Sequence, residues 1–138
     1  MSVLIKNGRV ITATDDFFAD IYIQDDKVMA IGKDLNFDAD TIIDAAGKLV
    51  MHGGIDPHVH LEMPFMGTFS SDNYESGTRA ALFGGTTMVI DFILQTQGKS
   101  LQSALEEWRG RSDGNCLGDY SFHMAVTDYN EATRKEIQ

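Results

Sequence analysis

The spacing of apolar residues changes once along this chain, near Met51, and that change constrains the fold more than any other feature. Before Met51, short apolar runs are separated by turn residues, and no helical period appears before residue 70. After Met51, β-branched runs alternate with stretches of helical period. Such strand–helix repeats indicate a parallel α/β fold. The sequence therefore predicts two parts, residues 1–52 and residues 53–138.

The first part is predicted to be a small antiparallel β module. Asn7-Gly8 is the kind of residue pair that best tolerates positive φ in a two-residue turn, and it suggests a hairpin. Asp25-Asp26 is a second candidate turn between alternating runs. The predicted strand pairs are 3–6 with 9–12, 20–24 with 27–31, and 41–44 with 48–51.

The second part is predicted to alternate strands and helices. The predicted elements are a strand over 54–60, a helix from Asp72 to Phe83, a strand over 86–94, a helix from Ser100, a strand over 120–127 and a helix after Asn130 that the chain end cuts off at Gln138. Asp72 and Glu75 have the spacing of a reciprocal helix cap. A (β/α)8 barrel takes eight strand–helix units and about 250 residues. We therefore expect this chain to be the front part of a longer protein.

Two histidines, His58 and His60, stand at the end of the first strand of the second part. Alternate side chains of a strand share a face, so both imidazoles are expected on one face, about 6.5–7 Å apart along the strand. Imidazole nitrogens bind zinc at about 2.0–2.1 Å. Asp56 lies on the same face, where it could orient a ligand or accept a proton. The spacing alone leaves two interpretations open, a metal site and a pair of surface histidines beside a turn.

Composition excludes several classes of partner. The formal net charge is −10 and the chain has no basic cluster, which disfavours nucleic acid and anionic membrane surfaces. The single cysteine, Cys116, cannot form an internal disulfide and is expected to be a bystander in a reducing compartment. No apolar run has the length of a signal peptide or a membrane span. The sequence therefore predicts a soluble, cytoplasmic protein.

Four segments together carry a family resemblance: residues 53–61 (GGIDPHVHL), 63–68 (MPFMGT), 84–92 (GGTTMVIDF) and 120–127 (YSFHMAVT). The first resembles the cyclic amidohydrolases, and the others resemble the dihydropyrimidinase and hydantoinase branch. The resemblance implies the start of a (β/α)8 TIM-like metal-dependent hydrolase barrel, preceded by part of a small antiparallel β-sandwich. It also implies hydrolysis of the ring amide of dihydrouracil, dihydrothymine or 5-substituted hydantoins to N-carbamoyl amino acids, by a homotetramer.

The resemblance also assigns roles to particular residues. His58 and His60 would hold one of two zinc ions, which a carboxylated lysine and a hydroxide bridge in the family. Met63 and Phe65 would form an apolar wall around the exocyclic substituent of the substrate. The family's catalytic aspartate, bridging lysine, later histidines and oxyanion-binding tyrosine would all lie beyond residue 138. No catalytic residue is therefore expected within the chain, and residues 1–138 alone are expected to be inactive.

Supporting residues are expected around the two histidines. Asp91 should hydrogen-bond to loop backbone or to a histidine, because an unpaired buried carboxylate is costly, and Asp56 is a second supporting residue. Two positions are open for His123, one pointing into the barrel and one as a hydrogen-bonded core histidine, and the core histidine is predicted. His52 stands where the family usually has proline. A tolerated change, a sequence error and a third nearby imidazole are the open explanations, and the first is favoured.

Three other functions remain as alternatives. A dihydroorotase or allantoinase would continue differently after the histidines, with an arginine or asparagine just downstream, whereas this chain has Leu61-Glu62-Met63-Pro64. A non-catalytic dihydropyrimidinase-like scaffold, assembled as a tetramer, would have lost metal ligands, whereas both histidines are present here. The last alternative is a truncated product with no function of its own.

Overall fold

The computed structural model describes residues 1–137 and separates them into two units, with the break after His52. The strands of the first unit are β1 (Ser2–Ile11), β2 (Asp16–Gln24), β3 (Lys27–Gly32), β4 (Thr41–Asp44) and β5 (Leu49–Val50). They form one five-stranded sheet in the order β3-β2-β1-β4, in which β5 also pairs with β1. The long strand β1 is therefore the centre of this unit.

The sheet of the first unit is mixed, so the predicted antiparallel module was wrong in this respect. Strand β1 pairs antiparallel with β2 but parallel with both β4 and β5. The predicted strands 41–44 and 48–51 do not pair with each other, because each pairs with β1 instead. Local turn signals could not reveal this, since the pairing is decided by contacts about 40 residues apart.

The pair Asn7-Gly8 forms a bulge inside β1 and not the predicted hairpin. Asn7 has a φ of 61°, and the register between β1 and β2 shifts between Ile5 and Gly8. A residue with positive φ can serve a bulge as well as a turn. The hairpin predicted at Asp25-Asp26 is confirmed: β2 and β3 pair antiparallel, and both aspartates have positive φ.

The buried carboxylate of Asp20 stabilises the bulge at Asn7 by hydrogen bonding. Its Oδ1 accepts a hydrogen bond from the Asn7 amide (2.8 Å), and its Oδ2 accepts one from the Leu35 amide (3.0 Å). The Lys6 ammonium lies 3.4 Å from Oδ2. The Asn7 hydrogen bond, helped by Lys6 and Leu35, lowers the pKa of Asp20 below its ordinary value, although burial acts in the opposite direction.

Because the folded pKa of Asp20 is lowered, its contribution to stability should be present above the unfolded pKa of about 3.9 and lost as pH falls through the folded pKa. We expect Asp20→Asn to reduce the free energy of unfolding by about 1–3 kcal/mol at pH 7. The difference from the unsubstituted protein should shrink below pH 4. Urea denaturation across this pH range measures it, with Asp25→Asn as the exposed control. A difference that is independent of pH would contradict the assignment.

The second unit is a mixed α/β arrangement. Its elements are β6 (Gly54–Val59), β7 (Pro64–Phe65), β8 (Thr68–Phe69), α1 (Tyr74–Phe83), β9 (Thr86–Leu94), α2 (Leu101–Ser112), β10 (Asp119–Ala125) and α3 (Glu131–Ile137). Strands β6, β9 and β10 form a parallel sheet in the order β10-β9-β6, which confirms the predicted parallel strands. Strands β7 and β8 form a separate antiparallel hairpin between the predicted strand 54–60 and the predicted helix from Asp72.

Helices α2 and α3 begin where the sequence predicts, after Ser100 and Asn130. Ser100 caps α2 by accepting a hydrogen bond from the Ser103 amide, and Asn130 accepts from the amides of the first turn of α3. Helix α1, however, is capped by Asn73 and not by the predicted Asp72, because Asn73 and Ser76 form the capping box. The predicted continuation of the last helix into Gln138 lies outside the described residues.

Strand β9 carries the core of the second unit. Val89 and Ile93 are buried on one face and pack in a cluster that includes Leu61, Tyr74 and Trp108. The same face presents the buried polar side chains Asp91 and Gln95. The opposite face carries Phe92, whose ring contacts His58 and His60.

Gln95 joins the carboxyl ends of β9 and β10. Its Oε1 accepts hydrogen bonds from the amides of Thr127 and Asp128, both at 3.0 Å. Its Nε2 donates to the carbonyl of Lys99 at 2.9 Å. This one buried amide therefore fixes the loops that leave two neighbouring strands at the same edge of the sheet.

Within residues 1–137, none of the helices is long and apolar enough to cross a membrane.

Candidate metal and substrate site

His58 lies near the end of strand β6, and His60 directly follows that end, where the strand is irregular. Its pairing with β9 shifts register between Asp56 and Val59, around Pro57, which has no N–H to offer the ladder. The Asp56 carboxylate accepts a hydrogen bond from the His58 amide at 3.1 Å. Asp56 thus contacts the backbone of the histidine segment and stabilises the bend that presents the two rings.

The two imidazoles lie side by side on one face. Their ring centroids are 5.0 Å apart and the ring planes are almost perpendicular, at 89°. Both rings rest against Phe92 of β9, with centroid distances of 4.5 Å for His58 and 5.4 Å for His60. Phe92 was not singled out from the sequence, although the alternation of β9 places it opposite the buried Asp91.

His123 joins this group from β10. Its ring lies 4.9 Å from Phe92, and its Nε2 is 3.0 Å from the carbonyl oxygen of Pro57. Since a carbonyl only accepts, this contact requires the proton on Nε2. The prediction of a core histidine was wrong, because His123 lies on the exposed face of the sheet. Its hydrogen bond instead ties β10 to the residue before His58.

Asp91 lies beneath the site on the buried face of β9. Its carboxylate accepts hydrogen bonds from the Tyr74 hydroxyl and the Phe92 amide, both at 2.7 Å, and the Leu61 amide lies 3.4 Å from each oxygen. Burial raises the pKa of Asp91 above its ordinary value, while these hydrogen bonds and the nearby His60 act in the opposite direction. Burial and Asp91 also raise the pKa of Tyr74.

A pocket of about 500 Å³ opens beside His60. It is lined by His60, Met63, Phe65, Thr68, Phe69, Ser70 and Leu94. The structure therefore brings Met63 and Phe65 to the same pocket as one of the histidines, while His58 is not among its lining residues. Phe69 was missed by the sequence analysis, because only the β7–β8 hairpin places it opposite Pro64.

The donor set of this chain fits part of a metal site. Two adjacent imidazoles are suitable zinc ligands, whereas a closed structural site needs four ligands and a catalytic site three. Within residues 1–137, no group of three or more histidine, cysteine or acidic side chains is arranged to hold an ion. The residues present can therefore supply two ligands, and other groups would have to complete the coordination.

Cys116 does not take part in this arrangement. Its thiol is partly buried, and burial raises its pKa to about 11. We expect iodoacetamide to modify Cys116 at pH 7.5 more than tenfold more slowly in the folded protein than in urea, because the thiolate is the reactive form. Peptide mass spectrometry over time measures both rates. Equal rates would show that the thiol is not protected.

Known proteins match this chain over nearly its whole length. D-hydantoinase of Streptomyces coelicolor is 47% identical over 139 residues, covering 97% of this chain and 30% of that protein. Dihydropyrimidinase of Rattus norvegicus is 47% identical over 143 residues, covering 99% of this chain and 27% of that protein. The crystal structure of dihydropyrimidinase from Brevibacillus agri superposes with a TM-score of 0.96 at 47% identity, covering 99% of this chain and 30% of that one.

These matches confirm the resemblance seen in the sequence. The chain spans less than a third of the length of these relatives, and it corresponds to their N-terminal portion. Residues 49–136 match the amidohydrolase family. This range includes β6, which carries His58, and also α1, β9, α2 and β10. This chain belongs to the amidohydrolase family.

Proposed function

We propose that the protein hydrolyses the ring amide of dihydropyrimidines or 5-substituted hydantoins to N-carbamoyl amino acids. The observation that carries this proposal is the placement of the paired imidazoles of His58 and His60 next to an apolar pocket that Met63 and Phe65 line. The similarity to proteins named D-hydantoinase and dihydropyrimidinase supports this substrate class.

His58 and His60 would hold a divalent metal ion, which we propose to be zinc, one of two in the complete site. When bound, such an ion acts as a Lewis acid and makes water a nucleophile near neutral pH. Asp56 holds the His58 backbone and Asp91 holds the Leu61 amide, so both act on the orientation of the ligands. Met63 and Phe65 contribute apolar surface that would receive the ring substituent.

The same similarity suggests an architecture for the whole protein. We propose that residues 1–52 belong to a β-sandwich domain and that residues 53–138 form the first three units of a (β/α)8 barrel. The parallel order of β6, β9 and β10, with α1 and α2 between them in the chain, supports the barrel. In such barrels the functional residues lie at the carboxyl ends of the strands. A cytoplasmic homotetramer is part of the same proposal.

The test uses the protein at its natural length, reconstituted with zinc. Dihydrouracil, a 5-aryl hydantoin, dihydroorotate and allantoin are offered separately, and the ring-opened product is measured by mass spectrometry. We expect turnover of dihydrouracil or the hydantoin at least tenfold above that of the other two. Preference for dihydroorotate or allantoin would contradict the proposed substrate class, and absence of all turnover would contradict the enzyme. Residues 1–138 alone should show no turnover.

Phe65 provides a test of the pocket. Its side chain is exposed on the β7–β8 hairpin and lines the pocket beside His60. We expect Phe65→Ala to lower kcat/KM for a 5-aryl hydantoin about tenfold, because apolar contact with the substituent is lost. Dihydrouracil has no such substituent and should be affected less. Phe83→Ala, at the exposed end of α1, is the matched control. Equal losses for both substrates would show that Phe65 only packs the hairpin.

A further inference from the structure

The turn that follows His60 is fixed by contacts from three directions. Leu61 is buried, and Glu62 adopts a left-handed φ of 49°, which is uncommon for a residue with a side chain. The Glu62 amide donates to the carbonyl of Asp72 at 2.9 Å. Arg111 of α2 donates to the carbonyl of Glu62 at 3.2 Å. The chain therefore leaves the histidine strand along one defined path.

Asp91 and Tyr74 form the buried end of this arrangement. Both carboxylate oxygens of Asp91 accept a shared hydrogen bond from the Leu61 amide, and Oδ1 also accepts one from the Phe92 amide. Tyr74 is fully buried, and its hydroxyl donates to Oδ2 at 2.7 Å. Among the residues that the structure describes, Tyr74 is the only side chain that donates a hydrogen bond to this carboxylate, and the other donors are backbone amides.

Helix α1 places Tyr74 against the turn. Tyr74 is the first residue of the helix, and its amide donates to the Glu62 carboxylate at 3.4 Å. A Cβ atom at Gly77 would lie 2.4 Å from Leu61 Cδ2, so this glycine allows the helix to approach Leu61 closely. Tyr74, Asp91 and the turn after His60 are therefore one packed group.

Removing the Tyr74 hydroxyl would leave Oδ2 of Asp91 with only the long hydrogen bond from the Leu61 amide, at 3.4 Å, which that amide shares with Oδ1. A buried carboxylate in this condition is unfavourable. The carboxylate would then shift toward its remaining donors, the amides of Leu61 and Phe92. Because Leu61 directly follows His60, such a shift would move the backbone that carries the imidazole.

We propose that Tyr74 is a positioning residue whose hydroxyl, acting through Asp91 on the Leu61 amide, fixes the orientation of the His60 imidazole toward a metal ion. The effect on a metal rests on the proposed function, which makes His60 a ligand. The effect on the Leu61 backbone does not depend on it. The two effects can therefore be measured separately.

The experiment compares Tyr74→Phe with Tyr120→Phe in the protein at its natural length. Tyr120 is partly buried and also donates to an aspartate, Asp113, but this hydrogen bond is exposed to solvent, so its substitution is a matched control. After metal removal, hydrogen exchange of peptides that contain Leu61 is followed by mass spectrometry. Zinc affinity and the thermal midpoint are then measured for each variant. Asp91→Asn, which keeps the shape of the side chain, is the second variant in case Tyr74→Phe does not fold.

We expect Tyr74→Phe, and Asp91→Asn likewise, to speed exchange at Leu61 and to weaken zinc binding about tenfold or more. Tyr120→Phe should change neither quantity by more than about twofold. Zinc affinity and Leu61 exchange equal to those of the unsubstituted protein would overturn the role of Tyr74, even if the thermal midpoint fell. Failure of the unsubstituted protein to bind zinc would instead overturn the proposed metal site, and with it the effect of Tyr74 on a metal.

Discussion

Replacing either His58 or His60 by alanine should abolish both metal binding and ring opening in the protein at its natural length. The two imidazoles lie side by side against Phe92, and each would supply one ligand nitrogen. Loss of a residue that only supports a ligand reduces metal affinity or activity about 10–100-fold. Loss of the ligand itself should exceed that range. Metal analysis of the purified variants and turnover of dihydrouracil measure the two effects.

His52→Ala is the matched control for these substitutions. His52 lies outside strand β6 and is interpreted from the sequence as a tolerated change, so its replacement should leave zinc content and turnover within about twofold of the unsubstituted protein. Full activity in both His58→Ala and His60→Ala would contradict the metal site. A loss in His52→Ala as large as in the other two would show that the effect is not specific to the histidine strand.

Trp108→Ala is expected to have the largest effect on stability. Trp108 is 3% exposed and packs in the core of the second unit with Leu61, Val89 and Ile93. Truncation of a buried tryptophan to alanine lowers the free energy of unfolding by about 3–5 kcal/mol. Because Leu61 belongs to the same cluster, the variant should also loosen the turn after His60. Urea denaturation of the natural-length protein measures the change.

Trp108→Phe separates the volume of the ring from its N–H group. Within residues 1–137, the indole Nε1 is buried without a hydrogen-bond partner, so phenylalanine removes no hydrogen bond there. The Arg111 guanidinium lies 4.6 Å from the ring centroid, and a phenyl ring can keep part of this cation–π contact. We expect less than half of the destabilisation seen with alanine. Equal destabilisation would show that a phenyl ring does not replace the packing of the indole.

Sequence reasoning succeeded where structure is decided locally. Strand β9 matches its predicted bounds, because a β-branched apolar run is delimited by Gly84-Gly85. Helices α2 and α3 begin after Ser100 and Asn130, as predicted, and each of these residues accepts hydrogen bonds within the first turn of its helix. Apart from the cap of α1, which lies one residue after the predicted Asp72, the failures concern long-range pairing. The Asn7-Gly8 pair satisfies a hairpin turn equally well, and only the pairing of β1 with strands on both sides makes it a bulge.

The same distinction applies to the candidate site. A period of two predicts that His58 and His60 share a face, and the rings do lie together. The position of Phe92 beside the two histidines depends on the register between β6 and β9, which shifts around Pro57. The contact of Tyr74 with Asp91 depends on how α1 packs against Leu61. Neither the register nor the packing could be inferred from spacing along the chain.

The dependence of dihydrouracil hydrolysis on bound metal is the most direct test of the proposed metal site. The protein at its natural length is assayed as purified, after removal of metal with a chelator, and after zinc is restored. We predict that N-carbamoyl-β-alanine forms in the first sample, that its formation stops in the second, and that it returns in the third. Undiminished hydrolysis by the metal-free protein, or no product in any sample, would contradict a metal-dependent hydrolase of dihydrouracil.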